Sequence, residues 1–435
     1  MSGEKGMEGL KRRLCMLVGW LVLAGTGMAG VPVCRSDSAT VKDLQRLGVR
    51  FSANNRVVFL ESGAEKFDDM FRAIRQAKRF VHLEYFNFRN DSVGGELFRL
   101  LAEKARQGVK VRALYDGYGN SSNNRPLEQH HLDSIRATGV EIYGFDPVVF
   151  PWINHAYHRD HRKIVVIDGE LVYTGGMNVA DYYIHGKPEF GPWRDMHMRI
   201  EGDAVTEYER IFREMWALNA GEWLDGPEYY PGCRDASVRF EGLKADTCVT
   251  AGHKMVGVAD RIPLTQPKLM RQAYVAAIDN ATSHIQIVNP YLTLVKSVKQ
   301  AIYRALRRGV RVEIMVSTKS DIPITPDVVA YQMNKMMRRG AEVYFYETGF
   351  HHTKIMMVDG LFCTVGSANL NSRSMSYDYE VNAFVMDAET TAQLQRIFER
   401  DKADCTRLTR ENWKQRRTVG QRFKGWIYHF LTPFI

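Results

Sequence analysis

Two stretches of the chain, HRKIVVIDGELVYTGGMN from His161 to Asn178 and HTKIMMVDGLFCTVGSAN from His352 to Asn369, carry reactive side chains in the same order at the same spacing. Each reads HxKxxxxD and then a glycine-led GxxN. An unperturbed imidazole titrates near pH ~6.5, so two of them can divide the work of attacking base and proton donor at neutral pH. Two lysines add positive charge at an anionic centre without a metal. A single HxK would carry little weight, because a histidine on a strand is usually a hydrogen-bonded core residue. Two copies agreeing at His, Lys, Asp, Gly and Asn are hard to reach by chance.

The elements that must hold these groups can be read from the intervening residues. His and Lys are one residue apart, so on an extended strand they share a face. The IVVID and IMMVD runs are apolar and β-branched enough for buried strands. Past each Asp a glycine marks a tight turn, and a second apolar strand (LVYTGG, LFCTVG) runs into the GxxN turn. Each stretch is therefore expected to be a hairpin presenting His, Lys and Asn at one end.

The duplication reaches beyond the motifs. KRFVHLEYFNF from Lys78 followed by AEKARQGVKVRALYDG matches SHIQIVNPYL from Ser283 followed by YRALRRGVRVEIMVST. IRATGVEIYGF and MMRRGAEVYFY restate one helix, turn and strand, with Gly139 and Gly340 at the helix C-termini. Strands separated by helices indicate βαβ units and a largely parallel sheet. The expectation is an α/β fold of two halves, residues 40–225 and 261–405, joined by a Gly-, Pro- and charge-rich linker over 226–260 and packed about a pseudo-twofold axis. Each half holds one motif histidine, so the two motifs should meet in one shared site.

On these residues the chain resembles the phospholipase D superfamily, whose double HxKxxxxD signature it matches position by position. The flanking HRKIVVIDG, GGMNVADYY, WRDMHMRIEG and the GSANLNSRS and YEVN segments are similar to the bacterial cardiolipin synthase branch, over roughly residues 40 to 400. The resemblance implies a phosphodiester substrate, which resists attack because it is anionic and its alkoxide leaving group is poor. It further implies that one of His161 and His352 forms a covalent phosphohistidine, with His161 favoured by family analogy, while the other acts as acid and then as base. Lys163, Lys354, Asn178 and Asn369 would bind the non-bridging oxygens. Asp195 in WRDMH and Glu380 in YDYEVN stand where the family carries carboxylates that orient the histidines. Asp168 and Asp359 complete the motifs, and their strand-end positions suit a structural hydrogen-bonding role. No cofactor and no metal is expected: Lys163 and Lys354 would repel a cation from His158, Asp160 and His161 or from His351 and His352, and no acidic cluster accompanies either motif.

Length and composition agree with a packed protein of two domains or one duplicated domain: 435 residues, 45% of them hydrophobic. Lys and Arg exceed Asp and Glu by nine; from Thr406 onward seven basic residues face one acidic, so six of the nine excess charges sit in the tail. Such asymmetry favours an anionic surface as partner. Within that tail Phe423, Trp426, Ile427, Phe430, Leu431 and Phe434 fall at helical spacing, flanked by Arg416, Arg417, Arg422 and Lys424. They read as an amphipathic helix for an anionic membrane interface, or alternatively as a helix packing on the body. FDPVVFPWI, from Phe145 to Ile153, suits a loop at the site mouth or an edge strand. Residues 1–34, with Lys11, Arg12 and Arg13 before an apolar run, have the layout of a signal peptide or membrane anchor. The location read from these features is the cell membrane, anchored or peripheral, facing the periplasm if exported. The six cysteines show no zinc spacing, and Cys233 and Cys248 could pair in an exported body.

Lipid and nucleic acid both contain phosphodiesters. No interleaved aromatic and basic module points to nucleic acid, and the resemblance implies that nucleases of this kind often carry a single motif and dimerise. The branch resemblance implies phosphatidyl transfer from one phosphatidylglycerol to another with release of glycerol, phosphatidylethanolamine being a second possible donor. Hydrolysis by the same residues is the alternative.

Overall fold

The computed structural model describes residues 39–147, 157–229 and 240–434. The N-terminal segment 1–34, most of FDPVVFPWI, His155 and Cys233 lie outside them.

The first half supplies β1 (Arg50–Leu60), β2 (Phe80–Tyr85), β3 (Lys110–Asp116), β4 (Glu141–Phe145), β5 (Lys163–Ile167), β6 (Leu171–Gly175), β7 (Trp193–Arg194) and β8 (His197–Gly202). The second supplies β9 (Lys254–Arg261), β10 (His284–Val288), β11 (Arg311–Ser317), β12 (Glu342–Tyr346), β13 (Phe350–His351), β14 (Ile355–Val358), β15 (Phe362–Gly366), β16 (Glu380–Met386) and β17 (Cys405–Arg407). Among the described residues one 15-stranded sheet runs β17-β12-β11-β10-β14-β15-β16-β9-β1-β8-β6-β5-β2-β3-β4. Read outward from the β9–β1 seam the two sides repeat each other strand for strand, with β17 as an extra edge. This is the duplicated α/β fold with its pseudo-twofold relation.

The expectation of a largely parallel sheet is corrected. Within that sheet only β2-β3-β4 and β10-β11-β12, the strands separated by helices, pair in parallel, while β7 and β13 form a separate parallel pair that joins the two halves. The remaining pairings are antiparallel, because each motif is a hairpin and the strands flanking it return directly.

The boundaries expected for the halves also shift. Residues 254–260, assigned to the linker, belong to β9, which is buried along its whole length and pairs with both β1 and β16. Its charged residues disguise a central strand: Lys254 is neutralised by Asp246 at 2.8 Å, and Asp260 by Arg162. At the other end, Val41 and Leu44 of the helix Ala39–Arg46 join the hydrophobic cluster of the second half, alongside Leu269 and Ala273.

The two motif hairpins are built alike. Ile164, Val165, Val166 and Ile167 of β5 are fully buried; at about 1.5–3 kcal/mol per such side chain this strand is a stiff support. Each hairpin turns through Asp-Gly, with φ of 54° and 68° at Asp168 and Gly169 and of 53° and 68° at Asp359 and Gly360. Two successive left-handed residues define a type I′ turn, which glycine and aspartate tolerate best.

Candidate active site

The histidines precede their strands. Hydrogen bonding of β5 begins at Lys163 and of β14 at Ile355, so His161 and His352 sit in the irregular segments leading in. Those segments are held by the opposite half. His161 N donates to Tyr379 O at 3.1 Å, and His352 N donates to Arg194 O at 2.6 Å. In both cases the accepting carbonyl belongs to the residue just before a site carboxylate.

The side chains repeat that crossing. His161 Nδ1 lies 3.0 Å from Glu380 Oε1, and His352 Nδ1 lies 2.7 Å from Asp195 Oδ2. Each histidine is thus held through Nδ1 by the carboxylate of the other half, and Lys354 Nζ also lies 3.1 Å from His352 Nε2. Burial drives both carboxyls up, but their cationic neighbours prevail. Glu380 is held below the usual range by His161, Lys163 and Ser367, and Asp195 by Lys354, His352 and its bond from Met196 N.

Lys163 and Lys354 are fully buried, and each Nζ donates to the carbonyl of its own motif histidine at 2.5 Å. Burial lowers Lys163 to about 7, with Lys354 adding repulsion, and lowers Lys354 to about 8. Lys354 Nζ also lies 2.9 Å from His352 Nδ1. Burial and that ammonium depress His352 to about 4 against the pull of Asp195. Asn178 and Asn369 are buried, and the Oδ1 of each meets no hydrogen-bond partner among the described residues. An amide oxygen only accepts, so any contact of these residues with an anionic oxygen falls to Nδ2, the donor of each amide.

The GxxN glycines serve this arrangement. A Cβ on Gly175 would stand 2.7 Å from His197 Nδ1 and one on Gly366 2.2 Å from Asn382 Oδ1, while one on Gly176, the residue after the first of these, would stand 2.3 Å from Asp195 Oδ1.

Asp168 and Asp359 are not part of this constellation. Asp168 lies at the end of β5 opposite Lys163 and accepts from the backbone N–H of Lys78, Arg79 and Phe80 at 2.7–2.9 Å. Asp359 accepts likewise from Thr282, Ser283 and His284 at 2.8–2.9 Å. They pin the hairpin turns to the starts of β2 and β10, apart from the histidines and lysines with which they share a motif. His351 is also turned away, bonded to Asp401 at 3.1 Å, and His158 Nδ1 lies 2.8 Å from Tyr377 O.

With this geometry in place, likeness to known proteins becomes informative. Residues 70–216 and 274–402 match the family described as "Cardiolipin synthase, PLD-like domain". A cardiolipin synthase of Oceanobacillus iheyensis is 32% identical over 386 residues, spanning 88% of this chain and 76% of the relative. One of Geobacillus kaustophilus is 33% identical over 366 residues, spanning 84% and 70%. The chain belongs to the cardiolipin synthase family. Among solved structures, phosphatidylserine synthase of Haemophilus influenzae shares the fold, with a TM-score of 0.67 and 15% identity over 91% of this chain and all of its own.

Within this family member several site neighbours escape sequence reasoning. Lys66, in the first turn of the helix Gly63–Gln76, is fully buried; its Nζ donates to Asn178 O at 3.0 Å and lies 4.3 Å from the Phe67 ring. Burial lowers it well below an ordinary lysine. His197, on β8, accepts from Met177 N at 3.4 Å, and burial together with Lys66 and Lys163 keeps it neutral. The signal for Lys66 was its position four residues before Met70, on the apolar stripe of its helix. Ser367 hydrogen-bonds Glu380, and Trp193, Tyr291 and Phe350 wall His352 with ring centroids 5.4–5.7 Å away. Phe86 stands edge-on to His161 at 5.2 Å.

Proposed function

We propose that the protein is a metal-independent cardiolipin synthase that moves a phosphatidyl group from one phosphatidylglycerol to another at the surface of an anionic cell membrane. The observation carrying this reading is the crossed arrangement: two imidazoles, each tied through Nδ1 to a buried carboxylate of the other half, beside two buried lysines. Membership of the cardiolipin synthase family supplies the lipid chemistry.

In the first step His161 Nε2 attacks phosphorus, and the bond from phosphorus to the glycerol oxygen breaks. His352 delivers its proton to that oxygen, and free glycerol leaves. In the second step His352 takes the proton from the hydroxyl of an incoming phosphatidylglycerol. That oxygen displaces His161 from phosphorus, giving cardiolipin and restoring both rings. Lys163, Lys354, Asn178 and Asn369 hold the non-bridging oxygens throughout.

Burial and the Lys354 ammonium favour the neutral form of His352, whereas the mechanism needs it protonated. A bound phosphodiester works against this, because its negative charge favours the imidazolium and offsets the Lys354 repulsion that adds to burial. The arrival of substrate thus moves the acid towards its charged form. His161, partly exposed and paired with ionised Glu380, is the accessible nucleophile.

The deciding experiment is mass spectrometry of lipids after incubation of the protein with phosphatidylglycerol vesicles in EDTA. Cardiolipin with equimolar glycerol is expected. Phosphatidic acid alone would make the protein a hydrolase, and loss of activity in EDTA would overturn the metal-free mechanism. Adding phosphatidylethanolamine tests the second donor.

A further inference from the structure

The C-terminal segment is docked on the body, and this gives its apolar residues a fixed direction. The helix Val419–Tyr428 lies across the helix Thr325–Met337 at Gly425, where an added Cβ would stand 2.5 Å from Asp327 O and 3.1 Å from Tyr331 Cβ. Only a glycine permits that approach. Arg417 pairs with Asp327 at 2.6 Å and Arg416 with Glu347 at 2.5 Å, so two charges of the basic tail serve docking.

The opposite side of the segment is apolar and, among the described residues, exposed. Phe423, Trp426, Ile427, Phe430 and Leu431 are 41–65% exposed. Phe423, Trp426 and Phe430 contact one another in series, with ring centroids 5.8 and 5.7 Å apart. Contiguous exposed aromatics of this kind mark an interaction surface.

The adjoining body is cationic. Lys296, Lys299, Lys335 and Arg339 lie on the helices Lys296–Arg307 and Thr325–Met337 or just past the latter, and among the described residues none forms an ion pair. Apart from burial, the groups acting on Lys299 are Lys335, Lys296 and Arg339. His429, in the final turn His429–Phe434, feels Lys335 and Lys299, which places this cluster against the apolar segment. That same turn packs on the helix Ser372–Ser376, three residues beyond Asn369 of the second motif.

We infer that Phe423, Trp426, Ile427, Phe430 and Leu431, with Lys296, Lys299, Lys335 and Arg339, form one membrane-seating face that inserts aromatic rings into an anionic bilayer beside the active site. A bilayer fits both halves of the surface: aromatic and aliphatic side chains enter the boundary between headgroups and acyl chains, while the lysines meet anionic headgroups. The docked geometry adds a function that a loose tail lacks, since it fixes the height and tilt of the site above the lipid. This inference rests on the lipid reading above, but its test is separate.

A photoreactive benzoylphenylalanine placed at Phe423 or Phe430 of the full chain is irradiated on vesicles of phosphatidylglycerol and phosphatidylcholine. The same probe at exposed Leu218 serves as the comparison. Acyl-chain adducts at 423 and 430 but not at 218 are expected. Absence of adducts at 423 and 430 while the protein sediments with vesicles would overturn the proposed face, wherever else the chain is anchored. In Lys299→Glu/Lys335→Glu the adduct yield at 430 should fall several-fold on phosphatidylglycerol vesicles and little on phosphatidylcholine alone; an unchanged yield would remove the cationic cluster from the face. Adducts without cardiolipin synthesis by the unmodified enzyme would leave the face standing and refute the synthase reading.

Discussion

His161 and Glu380 are 219 residues apart in the chain and 3.0 Å apart at the site, and His352 and Asp195 repeat the relation at 2.7 Å across 157 residues. Neither half can complete its own histidine. Each carboxylate therefore orients the ring contributed by the other motif.

Glu380→Gln should therefore impair the step carried by His161, and Asp195→Asn the step carried by His352. Each should lower kcat by about 10²- to 10⁴-fold through loss of the correct tautomer, with the shared Nδ1 geometry kept. Because both act in one sequence of steps, the double variant should be little worse than the poorer single one. Strict multiplicativity in steady-state kinetics would refute their joint action.

With an activated donor such as a p-nitrophenyl phosphodiester, the leaving group needs no acid. His352→Ala should then release one equivalent of nitrophenol and accumulate a covalent adduct on His161, visible in the intact mass. His161→Ala should give neither burst nor adduct. A burst from His161→Ala alone would exchange the two roles.

The buried lysines set the alkaline limb of the pH profile. A lysine is charged below its pKa and neutral above it, so phosphate binding by the free enzyme should weaken as pH rises through about 7 for Lys163 and about 8 for Lys354. The expected sign is a fall in kcat/KM across that window, carried mainly by KM. An exposed lysine would hold its charge to about pH 10. A kcat/KM flat to pH 9.5 would contradict the role given to both.

Asp168→Ala and Asp359→Ala should act on stability rather than on chemistry. Each leaves backbone amides without their acceptor and puts alanine at positive φ, at a cost of about 1–3 kcal/mol from the lost hydrogen bonds alone. Urea unfolding measures this loss, and kcat per folded molecule should remain close to that of the parent. A large kcat deficit in fully folded protein would return these residues to the site.

Gly176→Ala offers the converse case. The added methyl would press on Asp195 and through it on His352, and a shift of about 1 Å at a catalytic group can cost about 10²-fold. The loss should appear in kcat while most of the thermal stability is retained, and calorimetry beside kinetics separates the two.

How far the chain could be read follows the range of each interaction. HxKxxxxD and the Asp-Gly turn were legible because hairpin geometry is local: the same few residues specify strand, left-handed turn and strand. The meeting of the two motifs was legible from their repetition. The crossing of Glu380 to His161 was not, since nothing local distinguishes a carboxylate that serves its own half from one that serves the other. β9 was hidden by Lys254, Asp260 and Arg261, charges whose partners lie elsewhere in the chain. Lys66 was overlooked because a lysine inside a helix ordinarily faces water. The tail was legible as amphipathic, but its docking depends on Gly425 meeting Asp327 and Tyr331, which no periodicity reports.

The crossed carboxylates also impose an order on the birth of the enzyme. A chain leaving the ribosome completes β5 and its His-x-Lys long before Glu380 exists, and until β16 closes against β9 that first histidine has no partner to hold its ring. A truncated or half-folded product therefore carries a reactive motif that cannot turn over. The site is whole only once β16 and β8 have closed on either side of the β9–β1 seam.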